Sequence, residues 1–399
     1  MTALNRAVVV LSITLVIAWG SVYYAFGLTA PLIAAELGQS RPFTYAGFSL
    51  TLVVAGLASP FIGRAVDRSG GRAIMAAGSL VAALGLTLLG AAKGEAAFFL
   101  ACAVCGVGMA MTFYDAAFAS LNWLTKGHAR QPITLVTLAG GFASTVFWPI
   151  TQALLQHVGW REVYFIYAAL QALLCAPLLF VGLAAKPAAV ADAPQGVCAA
   201  EPPALTGSAR WQAFALLALA VVMQGFVNSG MGIHLLPALA SLGAEPSLAL
   251  FVGSLLGPAQ VTGRLLDLAF GRRLLQPLAL GVVALGAMPL AFLMLLGLPV
   301  STASLSAYAV LYGLGNGLMT IARGLIPAAL FGRDSYGAML GLLAAPGLMI
   351  QAAAPTALAL IVDSWGVVAM LKLCVALAAL AFLFMATLAW RFGPPRRDS

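Results

Sequence analysis

The chain has 399 residues, of which 62% are hydrophobic and only 8% are charged, with a net charge of +8. Soluble domains are about a quarter charged, so this chain has too few charged side chains to cover a water-facing surface. The composition excludes a set of soluble domains, a disordered chain, a disulfide scaffold and nucleic-acid binding as the main task, and it predicts a membrane protein.

Twelve apolar segments are long enough to cross a bilayer, which takes about 20 residues for about 30 Å of hydrocarbon. In chain order they cover residues 7–30, 43–62, 73–92, 96–121, 133–156, 163–184, 211–237, 247–263, 275–298, 303–322, 338–361 and 365–390. An Ala- and Pro-rich segment without apolar periodicity divides them six and six. We therefore predict an N-terminal six-helix bundle at 1–185, a cytoplasmic linker at 186–210 and a C-terminal six-helix bundle at 211–399.

The basic residues fall mostly on one side of the predicted bundle. With twelve crossings both termini lie on the same side, and sixteen of the twenty basic residues fall there, against three on the opposite side and Lys372 inside the last segment. Cytoplasmic loops of membrane proteins carry an excess of Lys and Arg. We therefore expect a multi-pass protein of a bacterial-type inner (plasma) membrane, with both termini in the cytoplasm.

The two halves share three short patterns in the same order, which indicates an internal duplication. The first-half patterns are Gly20, Gly27, Pro31 and Leu37-Gly38, then Gly63-Arg64-x-x-Asp67, then Gly106-x-Gly108. The second-half counterparts are Gly225, Gly232, Pro237 and Leu242-Gly243, then Gly263-Arg264-x-x-Asp267, then Gly313-x-Gly315. Parallel repeats of six-helix halves are an architecture of secondary transporters.

The loop after the second segment carries the residues of a family motif. Gly63, Asp67, Arg68, Gly70 and Arg72 fit the pattern Gly-x-x-x-Asp-basic-x-Gly-basic-basic, which resembles the loop motif of the major facilitator superfamily. The second copy of the motif, after the eighth segment, comprises Gly263, Arg264, Asp267, Gly271 and Arg272. The resemblance implies an all-α membrane protein with twelve transmembrane helices in two pseudo-symmetric six-helix bundles. It also implies a monomer and a loop that latches one conformation.

The Asp67 carboxylate has two kinds of candidate partner, a basic side chain or a helix N-terminus, and a purely topological role of the loop charges remains open as well. It can accept hydrogen bonds from Arg68 or Arg72, or it can face the positive N-terminus of a helix in the other half. The alternative is that these loop charges only set the topology.

Two departures from the family leave the substrate open. Cys102 and Cys105 stand where drug antiporters of the superfamily often carry Arg and Gln, which counts against a standard drug antiporter. The second half loosely resembles bacterial members near the monocarboxylate porters. Yet the first segment has no Lys mid-way, and the eighth and eleventh have no Arg mid-way, so the cations that such porters would use for a carboxylate are missing.

Asp115 is the charged residue inside the predicted spans that most needs an explanation, since such charges cost about 2.5–3.5 kcal/mol on insertion scales. Aligning the Gly-x-Gly patterns of the two halves puts Asp115 within one residue of the position of Arg323. An ion pair that gates the cytoplasmic side and a proton-exchanging Asp115 both remain open. A static pair, or an Arg323 that reaches towards the membrane surface, are the structural alternatives.

The first and seventh segments carry further candidates for solute or proton contacts. Trp19, Tyr23 and Tyr24 lie near the midplane, and only one of the two tyrosines faces a cavity if the segment is a regular α-helix. The repeat counterparts Gln224 and Asn228 supply amides, and helix–helix packing by polar side chains is an equally open interpretation for each. Additional candidates are Trp148, Gln152, Gln260, Asn316 and His234, the last also interpretable as a hydrogen-bonded structural residue.

No pattern of an enzyme competes with these features. Three dispersed histidines form no zinc motif, and no Gly-rich phosphate-binding loop is present. We expect no catalytic residues, no cofactor and no bound metal. We also expect a small-molecule substrate and the lipid bilayer as partners, and no nucleic acid.

The sequence therefore predicts a secondary active transporter that moves a small solute, such as a carboxylate or a similar metabolite, by rocker-switch alternating access. Protons as the coupling ion, in a symporter or an antiporter, remain open. A drug or toxic-compound efflux antiporter is the alternative within transport, and a membrane-embedded sensor or receptor is the alternative from another class.

Overall fold

The computed structural model describes residues 2–126, 128–183, 204–271, 276–332 and 335–393, except for the side chain of Arg41. Within these ranges the chain is almost entirely helical and forms no strand. Twelve long helices, α1 to α12, run in chain order over Ala3–Glu36, Arg41–Ser69, Gly71–Ala91, Glu95–Leu124, Arg130–Leu155, Trp160–Gly182, Gly207–Ser241, Pro246–Leu266, Pro277–Gly297, Thr302–Phe331, 336–365 and 367–392.

Ten helical ranges of the described residues are long and apolar enough to cross a membrane. The last of them, Tyr336–Phe392, has 57 residues, about twice the length needed for one crossing. Gly366 interrupts it with φ 81° and ψ 170°, a conformation that favours glycine, so this range is the two helices α11 and α12. Helix α8 has 21 residues but is less apolar and falls outside the ten. Each of the twelve predicted segments coincides with one of the twelve helices.

The duplicated helices α1 and α7 end in the same way. Each is followed by a glycine in the left-handed region, Gly38 with φ 65° and Gly243 with φ 93°, the usual conformation just past a helix C-terminus. Each also contains a proline in its last two turns, Pro31 in α1 and Pro237 in α7. The internal repeat inferred from the sequence is therefore visible in the local backbone.

The Gly-x-Gly pairs of α4 and α10 allow their helices to approach equivalent neighbours closely. A Cβ atom on Gly106 would lie 2.5 Å from a backbone oxygen of α2, and one on Gly108 would lie 2.7 Å from the backbone of α3. In the second half, a Cβ on Gly313 would lie 2.9 Å from a backbone oxygen of α8, and one on Gly315 would lie 2.6 Å from that of α9. The repeat therefore extends to helix packing.

Several helices contain irregular turns that the sequence did not predict. Helix α1 has a π-helical segment at Trp19–Tyr24, and α6 has one at Leu170–Cys175. Helix α4 breaks at Phe113, whose backbone is extended, and α8 continues into a π-helical segment at Asp267–Gly271. Such π segments and helix breaks are frequent at functional sites.

The chain forms two compact units. Unit 1 comprises Met1–Val197 and Arg333–Ala352, and unit 2 comprises Cys198–Gly332 and Ala353–Ser399. The first part of α11 therefore packs in unit 1. Residues 186–203 of the predicted linker lie outside the described residues, and α7 begins at Gly207, so the last four residues of that predicted linker are helical.

Candidate functional site

An aromatic cluster surrounds the π-helical segment of α1 in unit 1. The ring of Trp19 lies 4.2 Å from that of Phe113, 5.3 Å from that of Tyr114, 5.2 Å from that of Tyr23 and 6.1 Å from that of Tyr24, measured between centroids. The indole nitrogen of Trp19 is enclosed and has no hydrogen-bond partner among the described residues. We call these five residues the aromatic cluster.

The π-helical segment explains why both tyrosines belong to the cluster. A regular α-helix would turn Tyr23 and Tyr24 about 100° apart. A π-helix bonds residue i to residue i+5, so its wider turn brings the fourth and fifth residues after Trp19 to the same side. The two tyrosine rings contact each other at 5.2 Å as well as contacting Trp19. Both tyrosines therefore contact Trp19, and the expectation that only one of them faces a cavity stays a prediction.

A shallow, largely open cavity of about 430 Å³ lies next to the aromatic cluster in unit 1. The ring of Trp148 on α5 contacts that of Tyr24 at 5.9 Å and is 52% exposed, and Gln152 one turn further is also exposed. An exposed amide inside an apolar span favours a cavity-lining position over a lipid-facing one, because lipid offers no hydrogen-bond partner. The lining residues are Leu28, Ser144, Thr145, Trp148, Pro149 and Gln152.

Hydrogen bonds between buried side chains hold the two π-helical segments of unit 1 together. Gln171 in α6 donates to the hydroxyl of Ser21 in α1 at 3.0 Å, and both side chains are fully buried. About two turns away along each helix, the hydroxyls of Thr29 and Tyr164 lie 2.6 Å apart. Polar pairs of this kind are a normal means of joining membrane helices.

The predicted gate residues lie in different units. Asp115 is half-buried in the first turn of the second part of α4, Tyr114–Leu124, where the helix N-terminus favours a carboxylate. Arg323 is half-buried in α10. The predicted ion pair between them therefore stays a prediction. The break at Phe113 that gives Asp115 its N-terminal position was not predicted from the sequence.

An amide network occupies the corresponding part of unit 2. Gln224 Nε2 donates to Asn316 Oδ1 at 2.8 Å, and Asn316 Nδ2 donates to Asn228 Oδ1. The hydroxyl of Tyr312 also donates to Asn228 Oδ1, at 3.3 Å. Asn316 is 8% exposed and Tyr312 is 3% exposed. We call Gln224, Asn228, Tyr312 and Asn316 the amide network, which joins α7 to α10.

Sequence reasoning named three members of the amide network but missed Tyr312 and the contacts among them. A spacing of four residues was the available signal, because residues i and i+4 lie on one helix face. Gln224 and Asn228 have this spacing on α7. On α10, Tyr308, Tyr312 and Asn316 repeat it. In unit 1, Phe113 and Tyr114 were missed because the break in α4 has no proline or glycine to mark it.

His234 and Gln260 lie outside the amide network. The ring nitrogen Nε2 of His234 lies 2.9 Å from the carbonyl oxygen of Pro355, a bond between α7 and α11 within unit 2. Gln260 is half-buried in α8, at the point where the backbones of α8 and α10 approach; a Cβ on Gly317 would lie 2.2 Å from its carbonyl oxygen. Neither arrangement by itself indicates a ligand.

The family-like loop motif caps a helix of unit 1. The two carboxylate oxygens of Asp67 accept hydrogen bonds from the backbone N–H groups of Gly337 and Ala338, each at 2.8 Å. These N–H groups belong to the first turn of α11, the positive end of the helix. A Cβ on Gly63 would lie 1.9 Å from the carbonyl oxygen of Gly337, so glycine is required for this approach.

The basic residues of the motif have other positions. Arg68 is exposed. Arg72 Nε donates to the carbonyl oxygen of Phe180 near the C-terminus of α6 at 2.6 Å, and its guanidinium lies 4.3 Å from the Phe180 ring centroid. Gly70 has φ 75° and separates α2 from α3. Arg72 therefore stabilises the end of α6.

The second copy of the motif is more deeply buried than the first. Arg264 is 4% exposed and Asp267 is 3% exposed. Gly263 packs against α10, with its Cβ position 2.9 Å from the carbonyl oxygen of Leu314, and Gly271 is buried at the end of the π-helical segment. Arg272 lies outside the described residues. Among the residues that the structure describes, no three His, Cys, Asp or Glu side chains are grouped as a metal site.

Comparison with curated proteins finds two relatives that match parts of the chain. An uncharacterized 38 kDa protein in the 23S RNA operon of Thermoproteus tenax is 26% identical over 224 residues, which are 55% of this chain and 56% of that protein. Monocarboxylate transporter 14 of Mus musculus is 30% identical over 141 residues, which are 35% of this chain and 27% of that protein. The match thus spans about half the length of the first relative and about a quarter of the second.

Comparison with solved structures finds the same fold over nearly the whole chain. The human organic anion transporter MFSD10 (TETRAN) aligns with a TM-score of 0.72 at 17% identity, covering 96% of this chain and 100% of that one. A variant of the Escherichia coli fucose:proton symporter FucP aligns with a TM-score of 0.69 at 14% identity, covering 97% and 99%. These likenesses confirm the predicted fold of two six-helix bundles.

A family model described as Major Facilitator Superfamily matches residues 10–302. That range is well over half of the chain, and it includes both copies of the loop motif. The predicted fold class and the prediction of a multi-pass membrane transporter agree with it. The chain belongs to the Major Facilitator Superfamily and is a multi-pass membrane transporter.

Proposed function

We propose that this protein is a secondary active transporter that moves a small solute by rocker-switch alternating access. One observation carries the proposal. Hydrogen-bonding and aromatic side chains lie inside apolar membrane spans, and they occupy equivalent positions in the two halves of the repeat. Trp19 and Tyr23 correspond to Gln224 and Asn228, at the same offset of 205 residues as the flanking glycines. Polar groups inside a membrane are costly and are therefore functional candidates by default.

The solute we favour is small and amphipathic, with a carboxylate or a related metabolite first. The aromatic cluster and the adjoining cavity suit an apolar part, and the amide network suits a polar part. Two similar proteins are named as transporters of anions, one as a monocarboxylate transporter and one as an organic anion transporter, and these names favour an anionic solute. Proton coupling through Asp115 is part of the proposal, because an acidic side chain in a membrane span is a typical element of proton relays.

Efflux of a drug or toxic compound is the second candidate within transport. It is favoured by the cavity lined by Trp148 and Pro149, which is mostly apolar and would accept a hydrophobic compound. A membrane-embedded sensor is the candidate from another class. We also propose that the protein is not an enzyme, that it acts as a monomer with its substrate and the lipid bilayer as its partners, and that it lies in a bacterial inner membrane.

The test is uptake of radiolabelled solutes into proteoliposomes with an imposed pH gradient. We expect concentrative uptake of at least one small carboxylate, driven by the gradient. Uptake that is the same with and without the gradient would remove proton coupling. Accumulation of hydrophobic cations alone would favour drug efflux.

Asp115→Asn tests the coupling residue directly. We expect it to abolish concentrative uptake while leaving downhill exchange, because the amide cannot carry a proton. Asp363→Asn is the matched control, since Asp363 is an exposed acid of α11. An unchanged gradient-driven rate in Asp115→Asn would exclude Asp115 from the coupling mechanism.

A further inference from the structure

We propose that the side-chain amide of Asn228 donates hydrogen bonds to a carbonyl or carboxyl oxygen of the transported solute. The inference rests on the proposed transport function and names the chemical group that unit 2 recognises. It assigns recognition to a row of uncharged amides. In the part of the chain that the structure describes, no cationic side chain takes part in this row.

The amide network has a direction. Gln224 donates to Asn316, and Asn316 donates in turn to Asn228, so the amide dipoles of the row are aligned. Aligned hydrogen bonds polarise one another and strengthen the donor at the end of the row. That end is the Nδ2 group of Asn228. Its oxygen already accepts from Asn316 and Tyr312, so hydrogen-bond donation is the capacity left for a ligand.

The oxygen side of Asn228 is held in place by a rigid support. Tyr312, which donates to Asn228 Oδ1, stacks on Tyr308 with ring centroids 5.6 Å apart and an interplanar angle of 12°. Phe292 packs its edge against Tyr312 at 5.4 Å. Because two donors fix the Asn228 oxygen, its Nδ2 group is fixed as well, on the opposite branch of the same planar amide.

The Nδ2 group of Asn228 is accessible. Asn228 is half-buried, and none of the described residues accepts a hydrogen bond from its Nδ2. One turn further along α7, Gly232 is exposed, and a Cβ placed on it would meet nothing within 4 Å. A helical side chain covers the surface one turn towards the N-terminus of its own position. Glycine at 232 therefore leaves open the space next to the Asn228 amide.

The chemistry of a primary amide donor selects the ligand. An N–H pair binds an oxygen acceptor such as a carboxylate or an amide carbonyl, and it offers nothing to an ammonium group, which only donates. Since the row is neutral, charge on the ligand is not required. Acids and the corresponding amides should therefore both bind, and amines of the same carbon skeleton should not.

The experiment compares ligand binding by the purified full chain in detergent, measured as the ligand-dependent rise in melting temperature. The probes are three matched series: propionate, butyrate and benzoate; propionamide, butyramide and benzamide; and propylamine, butylamine and benzylamine. The variants are Asn228→Asp, which keeps both bonds to the oxygen side and replaces the donor by an acceptor, and Gly232→Leu, which fills the open space. Matched controls are Asn5→Asp at an exposed position and Gly297→Leu, where nothing lies within 4 Å.

We expect acids and amides, but not amines, to stabilise the wild-type protein and both controls. Asn228→Asp should weaken acid binding at least about tenfold, the effect of losing a hydrogen bond to a charged group and facing it with like charge. Its loss of amide binding should be smaller, and Gly232→Leu should weaken both series. Binding of amines as tight as acids, wild-type affinity in Asn228→Asp, or no binding of any acid or amide would overturn the assignment.

Uptake of the same probes into proteoliposomes separates this inference from the proposed function. If the probes bind with the expected pattern but are not taken up, the assignment of Asn228 is supported and the proposed transport function is contradicted. Uptake of the amines alone would support the proposed transport function and would contradict the assignment of Asn228 as a donor to oxygen acceptors.

Discussion

The side chain of Tyr308 is fully buried, and its hydroxyl has no hydrogen-bond partner among the described residues. An unsatisfied buried hydroxyl costs about 1–3 kcal/mol. Tyr308→Phe should therefore leave the melting temperature of the detergent-solubilised protein unchanged or raise it. Tyr312→Phe is the matched control, and it should lower the melting temperature because it removes the bond to Asn228. A clear loss of stability in Tyr308→Phe would contradict the prediction.

The Asp67 carboxylate is a helix cap as well as part of a family motif. Asp67→Ala leaves two backbone N–H groups of the first turn of α11 without an acceptor. We expect a loss of about 0.5–2 kcal/mol, the usual range for a lost cap, seen as a lower melting temperature. Arg68→Ala, at an exposed neighbouring position, should have little effect. Equal stability of the two variants would count against the cap.

The contacts of individual side chains were the part of the site that was hardest to predict from the sequence. Trp19, Gln224 and Asn228 could be named because tryptophan and amide side chains are uncommon at the centre of apolar spans. Their partners could not, because α7 and α10 meet through tertiary packing. The joint position of Tyr23 and Tyr24 required the π-helical turn, which no residue type in Trp19–Tyr24 marks.

At the level of helices, close packing depends on glycines at defined positions. Gly63→Ala would place a methyl group 1.9 Å from the Gly337 carbonyl oxygen and so force α2 and α11 apart within unit 1. We expect a loss of about 1–3 kcal/mol, as for overpacked cores, seen as a lower melting temperature.

Gly27→Ala is the matched control for this prediction. Gly27 also lies in a helix, but nothing lies within 4 Å of its Cβ position. Alanine is a better helix former than glycine by about 0.8–1.0 kcal/mol, so this variant should be neutral or slightly more stable. If both variants behave alike, the packing argument is wrong.

Helix number and position were predictable from hydropathy, and helix interruptions were not. The twelve apolar segments correspond to twelve helices because the bilayer requires each crossing to satisfy its own backbone hydrogen bonds. The breaks are different in kind. The boundary at Gly366, where φ is 81°, lies beside the predicted gap between the eleventh and twelfth segments, whereas Phe113 breaks α4 within one predicted segment, with an extended backbone that any residue adopts.

For the whole molecule, the distribution of basic residues predicts the orientation in the membrane. Arg68 and Lys93 are both exposed and lie at opposite ends of α3, which has 21 residues, enough for one crossing. We expect an impermeant maleimide to label Lys93→Cys in intact cells and Arg68→Cys only after permeabilisation, because the basic side is cytoplasmic.

The background for this labelling is Cys198→Ala. Cys198 lies outside the described residues, and Cys102, Cys105, Cys175 and Cys374 are buried and therefore protected from the reagent. The unsubstituted background, carrying no introduced cysteine, is the control and should remain unlabelled. Labelling of Arg68→Cys in intact cells would reverse the orientation.

The duplicated helices α1 and α7 keep the same glycines and the same ends while carrying different side chains on their inner turns. Trp19 and Tyr23 stand in one copy where Gln224 and Asn228 stand in the other. The residues that bring helices together are thus a different set from the residues that would meet a solute. Descendants of such a gene can exchange one set by point mutation and inherit the other intact, so new cargo is accessible to evolution without a new fold.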